Sequence, residues 1–290
     1  MDDLTYRRRS ILLLERKAKE YSKPGLSQHP GRSAAAWISR KLLFALLFTT
    51  GAAAYAATVV PLNDTGQTLC YDSNAVATTC AAARDDGHYG RDAANVAGVL
   101  TKTGAGVKAF DFSKVANNGS VLAAGAALGV AATDWACTQD NITGLTWEVK
   151  TTSGLRSSLN SYNWYSTDAA SNGGYQGTAN GGTCTGSNCD TQSFVAAVNA
   201  AALCGYSDWR LPSLRELQSV VDLSALVGSA TVDTTYFPNT LHKPYWTANT
   251  IASPPMLGRY AWSVDFGTGR TGTLSAKSWN VYVLLVRGVQ

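Results

Sequence analysis

The sequence predicts an α+β fold: two helices packed on a small antiparallel sheet, preceded by a mostly irregular or β extension. Three observations carry this. From residue 135 onward the pattern runs strand, helix, helix, then several short strands, with no strand–helix–strand repeat. Seven of the eight tryptophans lie between Trp135 and the C-terminus, so the core belongs there. All six cysteines follow residue 56, behind a stretch that reads as an export leader.

The leader has three parts. Arg40 and Lys41 give a positive flank, Leu42 to Thr50 an apolar core, and Gly51 to Ala56 a small-residue exit. Ala54-Tyr55-Ala56 fits the small-x-small cleavage pattern, which places a cut before Ala57 and sends the remainder to the periplasm, the cell surface or the medium. Some forty residues precede the apolar core, more than a signal peptide carries, so an uncleaved anchor over residues 42–61 is the rival reading. The Gly and Ala of its second half are weakly apolar for a span, which favours cleavage.

Ten of the 24 Lys and Arg, but four of the 20 acids, lie in residues 1–56. The exported part therefore has 14 basic and 16 acidic residues, a balance of −2. That excludes the overall basic footprint of a nucleic-acid binder. The six cysteines are Cys70, Cys80, Cys137, Cys184, Cys189 and Cys204. An even number in an exported region points to disulfides, although spacing alone leaves the pairing open. Short loops favour Cys70–Cys80 and Cys184–Cys189, which leaves Cys137–Cys204. No Cys-x-x-Cys or paired Cys/His spacing suggests a metal.

Residues 57–134 are rich in Ala, Gly, Asn and Asp and poor in large apolar groups. Alternation over residues 107–112 suggests a strand there. Alone this extension buries little core; it forms a small β subdomain or pads the domain at 135–290. In that domain, residues 145–149 read as a strand. Asp190 is an N-cap for a helix to residue 202, with Phe194, Val195, Val198 and Ala202 at helical spacing. Ser213 and Glu216 form a capping box that opens a second helix, with Leu214, Leu217, Val220 and Val221 as its apolar face. Strands follow over 245–248, 260–266, 271–275 and 281–286, with a Gly267-Thr268-Gly269 hairpin between the middle pair. The Gly/Asn-rich run 171–189 is a long surface loop.

A set of motifs in this region resembles one family, the Lcl C-terminal domain, named for a bacterial collagen-like surface adhesin. The matching stretches are Asp140 to Glu148 (DNITGLTWE), Cys204 to Pro212 (CGYSDWRLP), Glu216-Leu217, Tyr236 to Asn239 (YFPN), Tyr245-Trp246-Thr247, Ala261 to Phe266 (AWSVDF) and Val286-Arg287-Gly288. The opening at Asn63 to Cys70 (NDTGQTLC) is similar too. The resemblance implies an exported bacterial domain, C-type-lectin-like in layout, with adhesion and sulfated glycans as the expected function and ligand. The chain has no collagen-like Gly-X-Y repeat. Phe237-Pro238-Asn239 lacks the ligand residue that precedes Pro in calcium-dependent lectin triplets, so no calcium-borne sugar site is expected.

Within Asp208-Trp209-Arg210 the residues are either a ligand platform or a packing joint. The joint is preferred: Trp209 fills core, Pro212 starts the next helix, and Arg210 pairs with Asp208 or Glu216. Trp147, Trp246 and Trp262 are expected beside Trp209 in one core. Residues 232–290 carry Lys243, Arg259, Arg270, Lys277 and Arg287 against Asp233 and Asp265, a local +3. Lys243, Arg259, Arg270 and Lys277 are the candidate contacts for a sulfated or acidic glycan, with Arg259 and Arg270 reaching one edge of the sheet. A solvated charged face is the bland alternative. Residues 85–92 (DDGHYGRD) are a polar turn rather than a calcium loop. No catalytic or cofactor motif stands in the chain, and only Glu148 and Glu216 remain as glutamates after the leader. The expected function is a non-enzymatic, cofactor-free binding module. The alternatives are a subunit of a surface assembly, contacting itself or other surface proteins through the extension, and, behind both, an extracytoplasmic hydrolase. A membrane is a partner only with the leader uncleaved.

Overall fold

The computed structural model describes residues 63–71, 77–78, 80, 86–226, 228–251 and 257–288. The leader and its cut before Ala57 lie outside these residues, as does Asp85. Among the described residues no helix is long and apolar enough to cross a membrane.

The elements in order are β1 (Cys70–Tyr71), β2 (Ala77–Thr78), α1 (Asp86–Tyr89), α2 (Arg91–Val96), β3 (Phe112–Ala116), β4 (Val121–Leu122), β5 (Trp135–Asp140) and β6 (Thr146–Glu148). Then come α3 (Thr191–Ala200), α4 (Leu214–Gln218), β7 (Pro244–Thr250), β8 (Tyr260–Asp265), β9 (Arg270–Ala276) and β10 (Val286–Arg287). All sheet pairings between these strands are antiparallel: a β1–β2 pair, a five-stranded sheet β10-β6-β5-β3-β4 and a three-stranded sheet β7-β8-β9. The mixed architecture with few helices is the one expected.

Both main helices start where their caps place them. Asp190 accepts a hydrogen bond from the Ser193 N–H at 2.8 Å. Ser213 and Glu216 close both halves of the capping box at α4. Such caps satisfy N–H groups that a helix end otherwise leaves open.

The extension differs from its expected role. Strand β3 pairs with β5 along its whole length, and Phe110 and Phe112 enter the main core. No structural boundary falls at residue 134. The strand also begins at Phe112, where alternation over 107–112 had placed it earlier, because residues 107–110 turn back on themselves with Phe110 N–H donating to Val107 O. Residues 86–96 form two short helices in place of a polar turn. Asp92, buried within the second, accepts the Ala109 N–H at 3.0 Å.

The core is double. Phe112, Trp147, Leu217, Phe237, Tyr245, Leu284 and Val286 belong to one cluster. Tyr162, Trp164, Phe194, Trp209, Trp246, Val283 and Leu285 belong to the other. The run 281–286 (VYVLLV) divides them. Odd positions Val281, Val283 and Leu285 face the second cluster, while Leu284, Val286 and the partly buried Tyr282 face the first. Successive side chains on an extended chain point to opposite sides, so a segment with core on both sides must be apolar throughout. This corrects the single core expected: Trp147 lies in one cluster, Trp209 and Trp246 in the other, and Trp262 is half-buried outside both.

All six cysteines are paired as Cys70–Cys80, Cys137–Cys204 and Cys184–Cys189. This is the usage of a protein matured in an oxidising compartment. Cys137–Cys204 ties β5 to the turn after α3 across 67 residues. In the chain-entropy account a loop of that length stabilises by about 4 kcal/mol.

Candidate ligand-binding site

The four candidate cations divide between the two ends of the three-stranded sheet. Pro244 pairs with Asp265, and Asp265 with Arg270, so Lys243 and Arg270 share the end that carries the β8–β9 turn. Two strand spacings separate them, on the order of 10 Å. Both side chains are exposed. Asp265, the nearest acid, is occupied by the turn: it accepts the Gly267 N–H at 2.8 Å and the Thr268 hydroxyl at 3.1 Å. Gly269 closes the turn with a φ of +69°, a conformation that favours glycine.

Helix α4 sets a third cation on the rim of a cavity that reaches this turn. Exposed Arg215 lines a cavity of about 420 Å³ together with Gly269, Val221, Leu223 and the segment Asn63–Thr65. The carboxylates around the cavity are committed elsewhere. Asp64 accepts the Thr65 and Asp92 N–H groups at 2.8 and 2.7 Å. Asp222 pairs with Lys108 at 3.1 Å. The result is a partly apolar hollow with exposed Arg215 on its rim and exposed Arg270 next in the chain to Gly269 of its lining. The charges of the strands do not point to Arg215; its place between the apolar Leu214 and Leu217 of a short capped helix is the signal in the sequence that does.

Arg259 and Lys277 lie at the opposite end, where Tyr260 pairs with Ala276. Arg259 and Arg270 are thus separated by the length of β8, roughly 20 Å, and do not reach one edge. Lys277 is not on the surface at all. It is fully buried, and its ammonium donates to Asn172 O at 2.7 Å and Tyr175 O at 2.6 Å. It lies 4.2 Å over the Trp164 ring. Burial pushes its pKa down to about 8. Arg259 lies 5.4 Å from the Tyr175 ring centre. Both residues therefore hold the long loop after Tyr165, and Lys277 is withdrawn as a glycan contact.

The Asp208-Trp209-Arg210 motif is a joint. Trp209 is buried and its indole N–H donates to Leu203 O at 3.0 Å. Arg210 forks onto Glu216 at 2.8 and 2.6 Å and reaches Gly288 O at 2.9 Å, which clamps α4 to the end of β10. Burial alone would raise the Glu216 pKa, but the fork and the Ser213 N–H outweigh it and hold the carboxyl below its usual range. Asp208 instead pairs with Arg287 at 2.7 Å, and that guanidinium stacks 3.6 Å over Tyr206.

No match was found among curated proteins or among solved structures. The model of the Lcl C-terminal domain matches residues 136–287, from β5 to β10. That stretch holds the joint, both core clusters' tryptophans and the whole three-stranded sheet, and covers more than half of the chain. The chain belongs to the Lcl C-terminal domain family.

Proposed function

We propose that the protein is an exported, non-enzymatic binding module whose hairpin end takes an acidic extracellular ligand, a sulfated or carboxylated glycan first among them. One observation carries this: Lys243 and Arg270 are exposed at the β8–β9 turn and Arg215 lines the adjoining cavity, while Asp64, Asp222 and Asp265 are spent on backbone N–H groups, a hydroxyl or a lysine. Arginine forks suit sulfate and carboxylate. The part after the leader has a net charge of −2, so long-range attraction to a polyanion is weak and a local cluster must supply it. Adhesion at the cell surface and a C-type-lectin-like layout are parts of the same proposal. They are supported by the leader pattern, the three disulfides and the two capped helices beside an antiparallel sheet.

The test is heparin binding of the Lys243→Ala/Arg270→Ala double variant and wild type at two salt concentrations. Without these two cations fewer counterions are released on binding, so affinity falls and the log–log salt slope shrinks by about two. Arg259→Ala leaves both unchanged. Equal affinity and slope in the double variant would end this reading.

A second reading, a subunit of a surface assembly, is favoured by the exposed apolar residues of the extension: Leu69, Tyr71, Tyr89, Val96 and Val99. Light scattering of the protein in solution tests it, since a monomer at all concentrations speaks against self-association.

A further inference from the structure

A cavity of about 350 Å³ lies away from the β8–β9 turn, between the loop after Tyr165, α3, the Arg210–Ser213 segment and β7. Its size falls at the lower end of small-molecule sites. Val195, Leu211, Ala248 and Trp164 line it on the apolar side. Arg210 is the one charged residue among those lining it, and its charge is offset by the two short bonds to Glu216. A charged ligand would enter with nothing to compensate it.

The polar groups facing the cavity have capacity left over. Gln192 accepts from the Thr167 N–H and hydroxyl through Oε1, but its amide NH2 has no partner among the described residues. Ser166 accepts the Asp168 N–H and Ser213 accepts the Glu216 N–H, which leaves both hydroxyl hydrogens free to donate. An apolar wall with several unengaged donors suits a ring that has one C–H face and many hydroxyl acceptors.

The loop wall is held by Lys277. Its ammonium binds the carbonyls of Asn172 and Tyr175 and packs on the Trp164 ring, and Asn172 in turn donates to Ser166 O at 3.3 Å. From the far side Thr250 donates to Ser171 O at 3.1 Å. Ser166, Ser171 and Trp164 are the residues these contacts place against the cavity.

We propose that this cavity binds a single neutral sugar ring, and that Lys277 is the positioning residue for its loop wall. The proposal concerns a different site and a different ligand chemistry from the basic hairpin end, and stands whether or not heparin binds there.

The experiment titrates methyl glucoside, methyl galactoside and N-acetylglucosamine, with glucuronate as the charged contrast. Tryptophan fluorescence and saturation-transfer NMR are read at about 1 M salt, where the Debye length is about 3 Å and the hairpin cations are screened. At least one neutral sugar should bind saturably and more tightly than glucuronate. Ala248→Phe puts a ring into the cavity, in the place of the sugar, from an exposed strand position and should abolish binding; Gln192→Ala, also exposed, should weaken it about tenfold. Lys277→Met should weaken the sugar while heparin affinity at low salt stays at the wild-type value. Absence of binding by all three neutral sugars, preference for glucuronate, or binding that survives Ala248→Phe overturns the site. Sugar affinity unchanged in a folded Lys277→Met variant removes Lys277 from it.

Discussion

The two ends of the three-stranded sheet carry the same residue types and use them oppositely. At the β8–β9 turn, Lys243 and Arg270 face water, and the nearest acid is tied into the turn. At the other end the loop after Tyr165 folds over the sheet, so Lys277 is enclosed by two carbonyls and an indole, and Arg259 is drawn to Tyr175. A strand position does not decide whether a cation is a ligand contact or a structural pin. What covers it decides.

Stability measurements should separate the ends, and the largest effect belongs to the covered one. Lys277→Met leaves the buried Asn172 carbonyl and the part-buried Tyr175 carbonyl without their donor and removes a desolvated cation–π contact, a loss of about 3 kcal/mol in denaturant unfolding. A loss under about 0.5 kcal/mol would place Lys277 in water and make the two ends alike. Replacing Cys184 and Cys189 together by Ser frees a five-residue closure in the same loop and should cost about 2 kcal/mol. Arg259→Ala, an exposed cation against a ring, should cost about 0.5–1 kcal/mol. Lys243→Ala and Arg270→Ala should each stay within about 0.5 kcal/mol while lowering heparin affinity.

The covered end should also respond to pH. The Lys277 pKa in the fold, about 8, lies below the value of 10.5 for an unperturbed lysine. Between these values the unfolded chain binds the extra proton, so this group's contribution to stability rises with pH across that window. The stability difference between wild type and Lys277→Met should therefore grow from pH 8 to 10.5. On the acid side, Glu216 is held below its usual range, so its contribution is complete at neutral pH and is lost as pH falls through the folded pKa. Glu216→Gln should flatten that limb of the stability curve.

Much of the fold was legible in residues that act on near neighbours. Asp190 and Ser213 announced their helices because a cap needs a partner only three residues away. The short cysteine loops announced two disulfides and left the third pair. The Arg210–Glu216 fork was legible as one of two pairings, six residues apart across the cap at Ser213. The hairpin at Gly267–Gly269 followed from its glycines. Of the four candidate cations, Lys243 and Arg270 lie exposed at one end of the sheet.

The rest depended on contacts distant in the chain. That Phe112 to Ala116 would leave the extension and pair with β5 is not written in its own composition, because the partner strand supplies the hydrogen bonds and the core face. The division of the tryptophans between two clusters rests on residues 281–286, whose unbroken apolar run is compatible with one buried face or two. Arg215 came to line one cavity with Gly269 only through the packing of α4 against β7 and β8. The sequence by itself determined the caps, the turns, the oxidised cysteines and the family, since each is read over a few residues or from an ordered set of motifs. The tertiary structure decided which charges meet water. Lys277 shows why: its environment is built by Asn172 and Tyr175, about a hundred residues earlier in the chain, and burial is a property of that assembly, not of the strand that carries the lysine.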